Sequence, residues 1–374
     1  MFLELTKEQE MVKKSAIQFA EKTLKAIAYE DDRNARYPQE AVEEMGKLQF
    51  LGMRAPKAAG GEEMDFLTVA LTAKELGKAN ASVASVFLTH VVQATETIVK
   101  YGSDAQKEKY LPKLSSGELL GGYAYIEDRG TAGFTEDGVT AKKGQEGYLL
   151  SGKKSLAFGG GVAGVYVVIA GLEMEDGTRK LSAFLVEGKD VKVGPSVDKL
   201  GLRSFPTTEL IFDEVKGELL GEEAAGGAIM DEITGKTNII SGAIAAGIAE
   251  AARDESIAHC KTRVQFGAPI ARIQAVQFLL ADIEVSLHAM DQAAMMAAMA
   301  VDRGEAAALE GAFVKKTVQA AGHTAGMNAV QIHGGIGYSR EANIERYFRD
   351  IRGMASVESM REYPEKIIAA KLLK

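Results

Sequence analysis

At 374 residues, 46% of them hydrophobic, the chain is long enough to bury a large core, and its length suggests two or three domains. A net charge of −8 and a pI near 5.4 argue against nucleic acid or an anionic membrane surface as the partner. The single Cys260 excludes an internal disulfide, five scattered histidines supply no recognisable metal cluster, and no apolar run reads as long enough to span a bilayer. Met1-Phe2-Leu3-Glu4 lacks the basic start of a secretory signal, so the expectation is a cytoplasmic protein without a membrane span or a metal.

Residues 1–120 read as helical. Leu5, Val12 and Phe19, with Ala16, Ala20 and Leu24, share one face among lysines and glutamates, and Thr6 with Gln9 forms a capping pair. Pro38 opens a second helix through Gln49, and Pro56–Gly61 is a loop. Leu67–Leu76 and Val83–Tyr101 continue the helical periodicity, and Ser103-Asp104 caps a helix ending near Pro112. His90, inside one of these helices, reads as a half-buried packing residue.

From 121 to 220 the pattern shortens. Tyr148–Leu150, Val165–Ala170, Leu181–Val186 and Leu210–Phe212 are strand-like runs, punctuated by glycines, Asp137-Gly138 and Asp176-Gly177. They predict a central antiparallel β domain.

Helical character returns over 221–374. Ile239–His259, Gln274–Asp302 and Glu305–Val330 are rich in Ala and Met, and their apolar faces predict a four-helix bundle. Met290, Met295, Met296 and Met299 fit core or a subunit interface. The bundle sequence then reaches Gln331-Ile332-His333-Gly334-Gly335-Ile336-Gly337. Three glycines in four residues break a helix, and a turn without Cβ atoms lets backbone N–H groups approach a phosphate or another chain.

The strings YGSDAQKEKYLPKLSSGE (101–118), KLGLRSFPTTELIFDEV (199–215), LLGE (219–222), RVQFGAPIARIQAVQFLLADI (263–283) and QIHGGIGY with ERYFRD (331–350) carry a family resemblance. In this order and spacing the chain resembles the acyl-CoA dehydrogenase family over nearly its whole length. The resemblance implies an α+β fold: an N-terminal helical domain (1–120), a middle β domain (121–220) and a C-terminal four-helix bundle (221–374). It also implies an acyl-CoA substrate, FAD bound across a subunit interface of a homodimer or tetramer, and electrons passing to an electron-transferring flavoprotein.

By the same resemblance, Arg263, Phe266 and Gln274 match the family's pattern for the FAD diphosphate and adenosine, as do Gln331, Gly334 and Gly335 from the other subunit. Counting on from Asp350 places Glu358 in the register of the catalytic base, a carboxylate that removes the α-proton while the β-hydrogen leaves as hydride. At the flavin ring the sequence departs from the pattern. Ile126 stands for a threonine, Phe158 for a hydroxyl-bearing residue and Asn238 for an arginine that steadies the base, and the chain has no Trp. Two readings follow: a flavoenzyme of atypical substrate or direction, enoyl-CoA reduction included, or an acyl-CoA-binding or structural subunit without its own flavin, paired with an active paralogue.

Overall fold

The computed structural model of the protein describes residues 4–127, 138–144, 147–356 and 362–373. Seven α-helices come first: α1 (Lys7–Phe19), α2 (Lys25–Asn34), α3 (Gln39–Lys47), α4 (Phe66–Ala79), α5 (Ala81–Leu88), α6 (Thr97–Tyr101) and α7 (Asp104–Ser116). Thr6 and Gln9 close the capping box expected of them, each side chain bonded to the other's backbone N–H. A π-helical turn, Thr89–Glu96, joins α5 to α6, so 81–101 is one apolar helical stretch. It is long and apolar enough by composition to cross a membrane, a length the sequence reading missed, yet 94% of that window is buried within the protein. Helix α7 runs one turn past Pro112, held by buried Leu111 and Leu114, and stops at Gly117 with φ +77°.

His90 is fully buried rather than half-buried, and its role is structural. Gly121 N–H donates to Nδ1 at 3.1 Å and Nε2 lies 3.1 Å from the Leu114 carbonyl oxygen, which ties the helices to the first strand. Burial lowers its pKa to about 4, so the imidazole stays neutral.

Seven strands follow: β1 (Gly121–Ile126), β2 (Thr140–Gly144), β3 (Gly147–Phe158), β4 (Val165–Glu173), β5 (Arg179–Glu187), β6 (Lys192–Ser196) and β7 (Thr207–Leu220). They form one sheet in the order β1-β3-β2-β4-β5-β7-β6, with β1–β4 and β3–β7 also paired. Most pairings are antiparallel, as expected, but β4 runs parallel to both β1 and β2. The Asp176-Gly177 turn between β4 and β5 closes through Asp176 Oδ1, which accepts from Thr178 N–H at 2.9 Å. One face of the sheet has its own apolar core around Val168, Phe184 and Phe212. The other, with Tyr123, Tyr125 and Phe158, joins the core of the helices.

Helix α8 (Gly226–Thr262) opens the last part and is followed by a hairpin of β8 (Val264–Gln265) and β9 (Ala268–Pro269). Then come α9 (Gln274–Asp302), α10 (Ala307–Thr317), α11 (His323–His333), α12 (Gly335–Tyr338), α13 (Ile344–Ser356) and α14 (Glu362–Leu372). Helices α8 and α10 cross at touching backbones: a Cβ on Gly235 would lie 2.4 Å from the Ala307 carbonyl oxygen, and one on Gly311 2.2 Å from that of Gly235. Small residues thus set the spacing of the bundle. Met290 and Met295 lie in its core, whereas Met296 is exposed.

Candidate active site

The open end of α8 builds a cavity. Arg263 ends the helix, its N–H donating to the His259 carbonyl at 2.8 Å, and the chain turns directly into the β8–β9 hairpin. The hairpin turns on Phe266 and Gly267 at φ +53° and +80°, the left-handed pair that a two-residue hairpin loop demands. Glycine adopts this freely; at Phe266 it costs about 1–2 kcal/mol. The Phe266 side chain is nevertheless 96% exposed, so no packing within the chain offsets that strain.

Across from the hairpin, α11 stops at His333 and the chain turns on Gly334 at φ +60°, ψ −138°, a conformation open to glycine and not to a residue with a Cβ. A Cβ at Gly334 or Gly335 would meet nothing within 4 Å, so the chain leaves the space before this turn open. The helix resumes at once as α12.

Arg263, Phe266, Gln331, Gly334 and Gly335 border one cavity of about 930 Å³ within a single chain, although Gln331, Gly334 and Gly335 were expected to approach from the other subunit; His259 and His333 also line it. Gln274 is exposed at the start of α9, one residue after cavity-lining Ile273. Among the described residues Arg263 forms no ion pair, so its fork of donors is available to an anion.

Ile126 and Phe158 lie elsewhere, on the sheet face that joins the helical core. Ile126, half-buried at the end of β1, stands opposite Leu156 of β3. Phe158 is 1% exposed, its ring stacked on Phe205 at 5.7 Å and tilted against Tyr125 at 6.4 Å. Glu358 lies outside the described residues; the helices on either side of it are placed.

Helix α13, which leads toward Glu358, is clamped from three directions. Arg349 reaches both carboxylate oxygens of Asp32 on α2 at 3.0 and 2.6 Å and the Leu200 carbonyl at 2.9 Å. Asp350 Oδ1 accepts from Leu202 N–H at 2.7 Å, and Tyr347 donates to Glu255 of α8 at 2.6 Å. Burial lifts the Asp350 carboxyl to about 6 against the pull of Arg346. On the far side, Tyr363 of α14 donates to Asp231 Oδ1 at 2.6 Å; burial and then this bond hold its phenol well above the usual value. Asp231 and Asn238 are seven residues apart on α8 and share a face. Asn238 Oδ1 and Thr237 Oγ1 are buried without a hydrogen-bond partner among the described residues. Sequence patterning carried no signal for Asp231 or Tyr363, whose pairing spans 132 positions.

Residues 6–118, 127–215 and 226–373 match, in order, the models for the N-terminal, middle and C-terminal domains of acyl-CoA dehydrogenases. An acryloyl-CoA reductase (NADH) of Anaerotignum propionicum is 35% identical over 381 residues, covering 100% of this chain and 96% of that protein. The chain belongs to the acyl-CoA dehydrogenase family. The solved butyryl-CoA dehydrogenase of Megasphaera elsdenii superposes on this acyl-CoA dehydrogenase family member with a TM-score of 0.94 at 31% identity, each chain covered in full at 100%. A chain from the structural work on the electron transferring flavoprotein of Acidaminococcus fermentans superposes with a TM-score of 0.96 at 30% identity, again over 100% of both chains.

As a member of this family the protein is an oxidoreductase acting on acyl-CoA, and FAD is its cofactor. The donor set fits the group at its diphosphate end: a guanidinium without an ion pair among the described residues, a glutamine amide and an unfilled turn. Near the sheet, Ile126 and Leu156 are apolar, pack against the core of the helices and carry no side-chain hydrogen-bonding group.

Proposed function

We propose that this protein is an FAD-dependent acyl-CoA dehydrogenase in which Glu358 is the base acting on the α-carbon of an acyl-CoA thioester. The observation that carries the reading is the cavity joining Arg263, Gln331 and Gly334, residues 68 and 3 positions apart, in a chain matched end to end by its family. Bound FAD supplies the acceptor for the β-hydrogen, which leaves as hydride. The protein's own part is proton handling: the α C–H bond breaks, the proton goes to the Glu358 carboxylate, and the electron pair closes the α,β double bond. Arg349 anchors α13 and Tyr363 anchors α14, the helices that precede and follow Glu358 in the chain. Asn238, on the α8 face whose Asp231 holds Tyr363, stands where the resemblance expects the arginine that steadies the base.

We take residues 1–120, 121–220 and 221–374 as the three domains. Strained, exposed Phe266 beside an open cavity supports a second subunit closing over this end, hence a homodimer or a tetramer built from it. Electron-transferring flavoprotein is the redox partner in this reading, and the cytoplasm the compartment. The reverse direction, enoyl-CoA reduction, is favoured by the likeness to the acryloyl-CoA reductase.

The test is spectral. Purified protein carries a flavin band near about 450 nm that an acyl-CoA bleaches, or that returns from the reduced state on adding an enoyl-CoA. A colourless protein that takes up no added FAD sinks both directions.

A further inference from the structure

His259 and His333 stack ring on ring at the mouth of the cavity, centroids 4.3 Å apart and planes 28° from parallel. They come from different elements, His259 one turn before Arg263 on α8 and His333 two residues after Gln331 on α11, and both line the cavity with those residues. His333 Nδ1 lies 2.8 Å from the Ala329 carbonyl oxygen. A carbonyl only accepts, so Nδ1 carries the hydrogen and Nε2 is left to take any incoming proton. Among the described residues neither imidazole forms a salt bridge.

The charged groups around the pair are few. Arg263 stands on the same helix, Glu341 follows α12 on the cavity rim, and the hairpin and the turn after it contribute only Gln265, Phe266, Ile270 and Ile273. Glu255, one turn before His259, is engaged by the Tyr347 hydroxyl at 2.6 Å. Burial, the second imidazole and then Arg263 hold His259 below its ordinary pKa. A proton on either of two stacked imidazoles beside an arginine is stabilised by an anion that joins them.

We infer that His259 and His333 are part of the anion site itself: a diphosphate-bearing ligand entering beside Arg263 draws a proton onto the pair, which then contributes a second cation to the diphosphate. The inference rests on the FAD reading above and adds two residues to the ligand's contacts. Its sign is fixed by linkage. A dianion raises the imidazole pKa, binding takes up a proton, and affinity is highest below the free pKa and falls as pH rises toward that of the complex.

Apoprotein of the full chain is titrated with FAD, following flavin fluorescence, at about pH 6 and about pH 8.5, spanning the histidine range. Affinity is expected to drop at least about tenfold between them, the change one proton produces over one pH unit. Calorimetry in two buffers of different ionisation enthalpy should show net proton uptake at neutral pH, a readout that needs no variant. The His259→Gln/His333→Gln protein should bind at both pH values with the affinity that wild type has at the higher one. A flat wild-type profile without proton uptake overturns the inference and leaves the flavoprotein reading standing, as does a double variant that keeps the slope. Failure of wild type to bind FAD at either pH overturns both.

Discussion

The two regions assigned to one cofactor are built in opposite ways. At the bundle end, Phe266 is 96% exposed, Gly334 and Gly335 face open space and Arg263 has no partner carboxylate among the described residues. At the sheet end, Phe158 is 1% exposed and held between Phe205 and Tyr125. The first region is assembled from helix ends and a hairpin, where side chains such as Phe266 stand exposed. The second grows from strand interiors, where every second side chain is committed to a core. In the proposed reading, specific polar recognition is concentrated on the diphosphate side, and the ring side contributes shape and dryness. A desolvated ring side also suits the proposed chemistry, because a carboxylate base in a dry pocket is drawn toward the basicity its substrate requires.

Breaking the comparison outright means removing the group that both regions serve. Glu358→Gln should lower turnover by about a thousandfold, within the range of general-base catalysis, while flavin absorbance and stoichiometry stay as in wild type. Full activity in that variant would remove Glu358 from its role.

The two phenylalanines sharpen it next. Phe158→Ala should cost about 3–5 kcal/mol in urea unfolding, the usual penalty for a buried aromatic. Phe266→Ala should change the stability of an isolated subunit by less than about 0.5 kcal/mol, yet weaken flavin retention and subunit association. Equal unfolding penalties would show that the regions do not differ in the way described.

Arg349→Ala tests whether the site is held from a distance. It strands Asp32 near the junction of α2, α13 and the Leu200 carbonyl, and should cost about 3–5 kcal/mol as broken buried pairs do, with turnover falling further than flavin content. Smallest of all, Arg263→Ala should weaken FAD binding about tenfold, the loss of one charge-assisted contact, and leave the melting temperature unmoved. A shift of several degrees would make that arginine a structural residue.

Much of this was legible in the chain itself. Thr6 and Gln9 announced a capping box, Gln274–Asp302 was a helix by its period alone, and the glycines after His333 marked the turn that Gly334 makes at φ +60°. Each is a local property, set by side chains within a turn or two of one another. The sheet was legible only as short runs; that β4 lies parallel to β1 and β2 is a fact of topology without a local signature. Val83–Tyr101 was legible as helical, but the membrane-length apolar composition of 81–101 went unread, and only its burial shows what covers it.

What composition and periodicity determined is the order of elements and the place where the bundle sequence must turn, and the motif strings carried the resemblance to the family. What tertiary structure alone decided is which distant residues meet there. His259 and His333 are 74 positions apart and stack because α8 and α11 end side by side; Arg349 and Asp32, 317 apart, pair because α13 crosses α2. Helical period fixes the face a residue occupies but not the neighbour across it. That neighbour is chosen by packing of whole elements, where small residues such as Gly235 and Gly311 let backbones touch and set every other distance.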